Sequence, residues 1–143
     1  MLEGSDWVEH YKPVDLAGKV VLDLGAGEGE SARFFLEHGA RKVICIEADP
    51  KAYENLAKNA QKFPNQLTAI YGYFNLGHLD LEYDFLKCDI EGYEEVLLDV
   101  ELKTPSVIEV HGLQLKDKFQ AKGYRIDKNF NMAGYITYAY WNC

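Results

Sequence analysis

Lys19-Val-Val-Leu-Asp-Leu-Gly-Ala-Gly-Glu-Gly-Glu30 decides the fold. Its first half is a nearly continuous apolar run rich in β-branched residues, the pattern of a strand buried on both faces. Its second half is a glycine cluster, Gly25, Gly27 and Gly29. Ser31 then opens a stretch from Ala32 to His38 whose apolar residues group at helical spacing, and Gly39 closes it. A strand, a glycine turn and a helix in that order point free backbone amides at a ligand. The unit recurs: Lys42-Val-Ile-Cys-Ile-Glu47 is a second buried strand, and Asp49-Pro50 leads into a helical stretch from Ala52 to Lys62 that Pro64 stops. Leu67 to Phe74 reads as a third strand and Tyr83 to Asp89 as a fourth, with room for one or two helical turns over Asn75 to Glu82. Glu94 to Leu102 is expected as a short amphipathic helix, Pro105 to His111 as a fifth strand, and Leu113 to Lys122 as a helix ended by Gly123. Tyr124 to Asp127 and Tyr135 to Trp141, around a turn at Asn129 to Gly134, form a closing hairpin.

This alternation predicts an α/β, doubly wound, Rossmann-like sheet of seven strands, mostly parallel with an antiparallel terminal strand, and helices on both faces. Residues 1–18 read as an N-terminal arm or short helix, packed on the sheet or lying over the ligand cleft, and residues 19–143 as a single domain. The chain has 143 residues, and 15 Lys and Arg against 23 Asp and Glu leave a formal charge of −8, which opposes coverage of phosphates by cations. No nucleic-acid partner is therefore expected. No apolar run approaches the roughly 20 residues that span a bilayer, and MLEGSDWVEH carries neither a basic leader nor an apolar signal core, so a cytoplasmic protein without membrane contact is expected. Cys45, Cys88 and Cys143 have no thiol or histidine at ligand spacing and read as packing thiols.

A dinucleotide loop has the spacing G-x-G-x-x-G, but here Glu30 holds the third glycine position and Glu28 stands close by. Carboxylates beside a pyrophosphate cost on the order of 1 to 4 kcal/mol per contact pair. The same carboxylates favour a nucleoside bearing a positive sulfonium and an ammonium, as S-adenosylmethionine does. Glu47, about 20 residues past the loop, stands where an acid accepts hydrogen bonds from ribose hydroxyls. Asp23 either meets the ligand's amino group or bonds the loop amides.

Val21-Leu-Asp-Leu-Gly-Ala-Gly-Glu-Gly29 and Ile46-Glu-Ala-Asp-Pro50 resemble the first two motifs of the class I S-adenosylmethionine-dependent methyltransferases. Phe85-Leu-Lys-Cys-Asp-Ile-Glu-Gly-Tyr-Glu-Glu-Val-Leu97 and Pro105-Ser-Val-Ile-Glu-Val-His111 resemble the Lys-x-Asp-x-Glu-Gly-x-Glu signature and the following Pro…Glu-x-His strand of the FkbM-type methyltransferases. The resemblance covers roughly residues 19–126. It implies S-adenosylmethionine as methyl donor and O-methylation of a hydroxyl on a small acceptor, a sugar or natural product. Cofactor contacts are expected at Asp23, Gly25, Ala26, Gly27, Glu28, Gly29, Glu47, Ala48, Tyr73 and Asp89. Tyr73 or Phe74 would stack on the adenine, because the third strand lacks the acid that often bonds it.

A hydroxyl acceptor gains from a base that takes its proton as the new bond forms. The candidates are Asp89, Glu91 and His111, at the carboxyl ends of the fourth and fifth strands, while Glu109 is expected to be hydrogen-bonded in the core or at its rim. Asp89, Glu91 and His111 also have the donor types of a cation site, but no metal is expected. The alternative reading is a non-catalytic S-adenosylmethionine-binding module or partner subunit, and a homo-oligomer is compatible with either reading.

Overall fold

The computed structural model describes residues 10–91, 93–127 and 136–143. Its strands are β1 (Val20–Leu24), β2 (Lys42–Glu47), β3 (Leu67–Tyr71), β4 (Phe85–Cys88), β5 (Ser106–His111), β6 (Arg125–Ile126) and β7 (Ile136–Trp141), and its helices α1 (Glu30–Glu37), α2 (Pro50–Ala60) and α3 (Leu113–Lys122). The strands run in the sheet order β3-β2-β1-β4-β5-β7-β6. The expected seven-strand α/β topology is what the chain adopts. Two compact units divide it: Asp15–Lys87, and Cys88–Cys143 with Val14 and the residues before it. Among the described residues no helix is long and apolar enough to cross a membrane.

In the Asp15–Lys87 unit, all five residues of β1 are buried, as a continuous apolar run flanked by strands requires. β1 and β2 pair in parallel with Val21 opposite Val43, and β2 and β3 pair in parallel with Glu47 opposite Tyr71. β3 was expected to reach Phe74. It stops where its partner stops, and Gly72 leaves the strand at φ +147° while its N–H donates to the Glu47 carbonyl at 2.9 Å. α2 starts as its sequence dictates: Asp49 accepts from the Ala52 amide at 2.8 Å and Pro50 fills the first turn, where no N–H is needed. Ser31 does not cap α1, because Gly29 holds the N-cap position in the left-handed region.

In the other unit, β5 and β7 are antiparallel, with Glu109 opposite Tyr138 and His111 opposite Ile136, and β7 also pairs antiparallel with β6. The helix expected from Glu94 to Leu102 is a 3-10 helix confined to Glu94–Asp99. Its end has a physical cause: the Lys122 ammonium gathers the carbonyls of Leu97, Leu98 and Val100, a cation on carbonyls that a longer helix would use internally. His10 and Tyr11 are buried, His10 stacked on Tyr138 with ring centroids 4.3 Å apart and Tyr11 edge-on to the same ring at 5.8 Å. These two residues therefore pack against the fold. Residues 1–9, Gly92 and the turn expected at Asn129 to Gly134, with Tyr135, lie outside the described residues.

Candidate functional site

The glycine loop is built from β1 and held by β2. Gly25 and Ala26 donate their N–H groups to the Ile46 carbonyl, at 2.9 and 3.2 Å, and the Gly27 amide donates to Glu47 Oε1 at 2.7 Å. Glu47 Oε2 accepts from the Asp49 amide at 2.8 Å, so this carboxylate clamps the loop while each oxygen keeps a lone pair for a further donor. Gly27 sits at φ +60° with nothing among the described residues within 4 Å of where a Cβ would stand, so among them a ligand can approach its backbone. Gly29, at φ +109°, would put a Cβ 3.3 Å from Leu56 Cδ1; only glycine lets α2 pack there. Ala26 is buried, Ala48 is half-buried, and Tyr73 stands 72% exposed just past β3, beside Tyr71, whose ring meets that of Tyr53 at 5.1 Å.

Glu28 was expected at the ligand. Instead its carboxylate accepts from the Asn55 side chain and its carbonyl accepts from Asn59 Nδ2 at 2.8 Å, which ties it to α2. It lines a cleft of about 950 Å³ with Glu30, Arg33, Lys58 and Lys62, whereas Gly27 and Glu47 do not line that cleft. The cleft is thus a helix-side feature distinct from the open face over Gly27.

Asp23 is corrected as well, because it meets neither the loop amides nor open space. It is fully buried, its Oδ1 lies 3.0 Å from the Lys87 ammonium, and its Oδ2 accepts from Ser31 Oγ at 2.5 Å. Lys87 also donates to the Gly25 carbonyl at 3.0 Å. A cation from β4 therefore neutralises the one acid inside β1 and holds the glycine loop from below. This role of Lys87 was missed, although a lone lysine inside the apolar run of β4 needs a buried acid, and β1 has only Asp23. Cys45, near this pair, has its thiol pushed up by burial and then by Asp23, which makes it inert packing.

The carboxylate-rich cluster belongs to the other unit. His111 Nδ1 lies 3.0 Å from Glu94 Oε1, which also accepts from the His111 backbone N–H at 2.9 Å. His111 Nε2 lies 3.4 Å from Glu109 Oε2 and 3.8 Å from Asp89 Oδ1. Glu109 Oε1 accepts from the Tyr138 hydroxyl at 3.0 Å. Hydrogen bonds to Glu109 and then Glu94 outweigh burial and hold His111 protonated, raised to about 10. Burial pushes the Glu109 carboxyl up, but hydrogen bonding, with His111 first and Tyr138 among the rest, prevails and brings it down to about 2.

Both ring nitrogens of His111, the candidate base, therefore face carboxylates, Nδ1 that of Glu94 and Nε2 that of Glu109. Asp89 is half-buried beside it, and Glu91 is exposed in the turn after β4. Glu109, rather than Glu91, joins Asp89 and His111 as a trio whose donor atoms all lie within 4.8 Å. Glu94 and Tyr138 were not singled out as members of this cluster, because no sequence period tells a buried glutamate in a 3-10 turn from a solvated one.

No known protein-family profile matches the chain. A ribosomal RNA small subunit methyltransferase A from Dinoroseobacter shibae is 42% identical over 60 residues, 42% of this chain and 21% of that protein. A ribosomal protein L11 methyltransferase from Vibrio campbellii is 40% identical over 57 residues, 40% of this chain and 18% of that protein. The chain thus covers about a fifth of the length of the curated relatives it matches. Among solved structures, a ribosomal protein L11 methylase from Lactobacillus delbrueckii subsp. bulgaricus superposes with a TM-score of 0.68 at 17% identity, covering 96% of this chain and 75% of that one. Aeropyrum pernix fibrillarin, crystallised with natively bound S-adenosyl-L-methionine, gives 0.64 at 14% identity, covering 88% of this chain and 68% of that one. These likenesses give the fold, that of the class I methyltransferases. They also correct the expected partners: the sequence relatives are named for ribosomal RNA and ribosomal protein, against a small hydroxylated acceptor and no nucleic acid. Net charge sums the whole chain and says nothing of what another segment or partner contributes to binding, which is why it misled.

Proposed function

We propose, starting from a chain that carries the class I methyltransferase fold, that it is an S-adenosylmethionine-dependent methyltransferase whose acceptor is an RNA. The observation that carries the reading is the glycine loop clamped by Glu47: the Gly27 amide on Glu47 Oε1 at 2.7 Å, with open space outside Gly27. The loop backbone from Gly25 to Gly29, including Ala26, receives the amino acid part of the cofactor, Glu47 accepts from the ribose, and Ala48 and Tyr73 line the adenine. Methyl transfer asks the protein chiefly for alignment, since the donor is already activated. Asp89 and Glu91 serve the acceptor side, Asp89 in the finer placement as an FkbM-type protein suggested by the block from Phe85 to Leu97. The names of the sequence relatives favour RNA.

The test is transfer of labelled methyl from S-adenosylmethionine to total RNA, to isolated ribosomal subunits and to ribosomal protein. Label in RNA supports the reading, and label in protein alone refutes the choice of acceptor. One observation favours a second reading, a cofactor-binding module without catalysis: both ring nitrogens of His111 are already met by carboxylates, Nδ1 by Glu94 at 3.0 Å and Nε2 by Glu109 at 3.4 Å. Under that reading the cofactor binds and no substrate is labelled.

A further inference from the structure

We propose that Asp89, Glu109 and His111 form a site for one divalent cation of the zinc, cobalt or manganese kind. Two carboxylates and one imidazole are the donor set such ions take, harder than thiolate and softer than an all-oxygen cage. The spacing fits. Two bonds of about 2.1 Å opened to a tetrahedral angle put their donor atoms about 3.4 Å apart. His111 Nε2 and Glu109 Oε2 stand 3.4 Å apart, and Asp89 Oδ1 lies 3.8 Å from the same nitrogen. The three donor atoms all lie within 4.8 Å of one another, close enough to converge on one ion.

The surroundings orient two of the three donors, as metal sites require. Glu94, fully buried, accepts at the His111 Nδ1 edge at 3.0 Å and so turns Nε2 toward the carboxylates. Tyr138, also fully buried, donates to Glu109 Oε1 at 3.0 Å and turns Oε2 toward Nε2. Among the described residues the second oxygen of Glu94 is buried with no hydrogen-bond partner, an uncompensated acceptor in the supporting layer that a nearby cation would offset. Side-chain exposures of 30%, 14% and 21% for Asp89, Glu109 and His111 leave a path in and room for an oxygen ligand. An ion held by these three donors keeps open coordination positions.

The experiment is a titration of the full chain with Co²⁺, read by visible absorption, in a Cys143→Ser background that removes the exposed thiol. The site predicts one cobalt per chain, a ligand-field spectrum of nitrogen and oxygen donors, and displacement by Zn²⁺. Asp89→Asn, a shape-preserving change at a half-buried position, weakens binding at least roughly tenfold. Glu109→Gln, which keeps an acceptor for Tyr138, does the same, and far-ultraviolet circular dichroism checks that both variants are folded. Absence of a cobalt spectrum at millimolar metal overturns the proposal. So does an unchanged spectrum and affinity in both variants, which would put the ion elsewhere.

Discussion

Lys87→Met tests whether a buried charge pair supports the glycine loop. The substitution keeps an unbranched chain of similar length in β4 and removes the ammonium that lies 3.0 Å from Asp23 Oδ1 and from the Gly25 carbonyl. Lys87 is 3% exposed and Asp23 0%, so no solvent replaces the lost cation. Asp23 is left with the Ser31 hydroxyl alone. Removing one member of such a pair costs about 3 to 5 kcal/mol, because the other remains as an uncompensated buried charge. Against a total stability on the order of 5 to 15 kcal/mol, and with roughly 2 to 4 °C lost per kcal/mol, melting falls by about 10 °C. Asp23→Asn combined with Lys87→Met removes the stranded charge and returns most of that loss. Urea denaturation of the two single variants and the double at neutral pH measures both effects. A Lys87→Met loss below about 1 kcal/mol, or an additive double variant, refutes the argument.

Glu47→Gln keeps one acceptor oxygen but loses the charge that holds the Gly27 and Asp49 amides, and calorimetry should find S-adenosylmethionine bound about tenfold more weakly with little change in melting. Gly29→Ala meets both a φ of +109° and Leu56 Cδ1 at 3.3 Å, and should cost at least 1 to 2 kcal/mol in denaturant unfolding by the order of strain energies. Gly27→Ala has open space, so its stability cost stays near ~1 kcal/mol and its larger effect is on cofactor affinity. His111 sets an alkaline limb. Its folded pKa of about 10 lies above the ordinary 6.5, so its contribution is full below about pH 6.5 and is lost as pH rises toward 10. Glu109, held near 2, contributes above about pH 4.5 and loses that contribution as pH falls toward 2. Melting curves in the presence of a chelator should fall between pH 6.5 and 10 for the parent chain and flatten over that window for His111→Gln.

Much of the fold was legible because it follows from local pattern. Buried parallel strands such as β1 and β2 are continuous apolar runs, and their glycine, proline and aspartate boundaries carry their own mechanisms. The elements misjudged are those whose ends depend on distant partners. β3 stops because β2 has no residue left to pair with it, and the helix after Glu94 is cut short by a lysine 24 residues beyond Leu98. The site divides the same way. Glu47 and the glycine loop are one local unit and were readable together. The partners of Asp23 and Glu28, Lys87 and Asn55, lie 64 and 27 positions away, so no local pattern reveals them. The protonation of His111 depends on Glu94 and Glu109 arriving on either side of its ring, which residue types alone do not reveal.

The seat over Gly27 is most directly probed by thermal unfolding with S-adenosylhomocysteine and NAD in parallel, each also run on Glu47→Gln. The account predicts that the thioether nucleoside raises the melting temperature, with about 2.7 kcal/mol gained at a hundredfold excess over its dissociation constant, that Glu47→Gln blunts the rise, and that NAD leaves melting unchanged. A rise with NAD that survives Glu47→Gln, with none from S-adenosylhomocysteine, would contradict it.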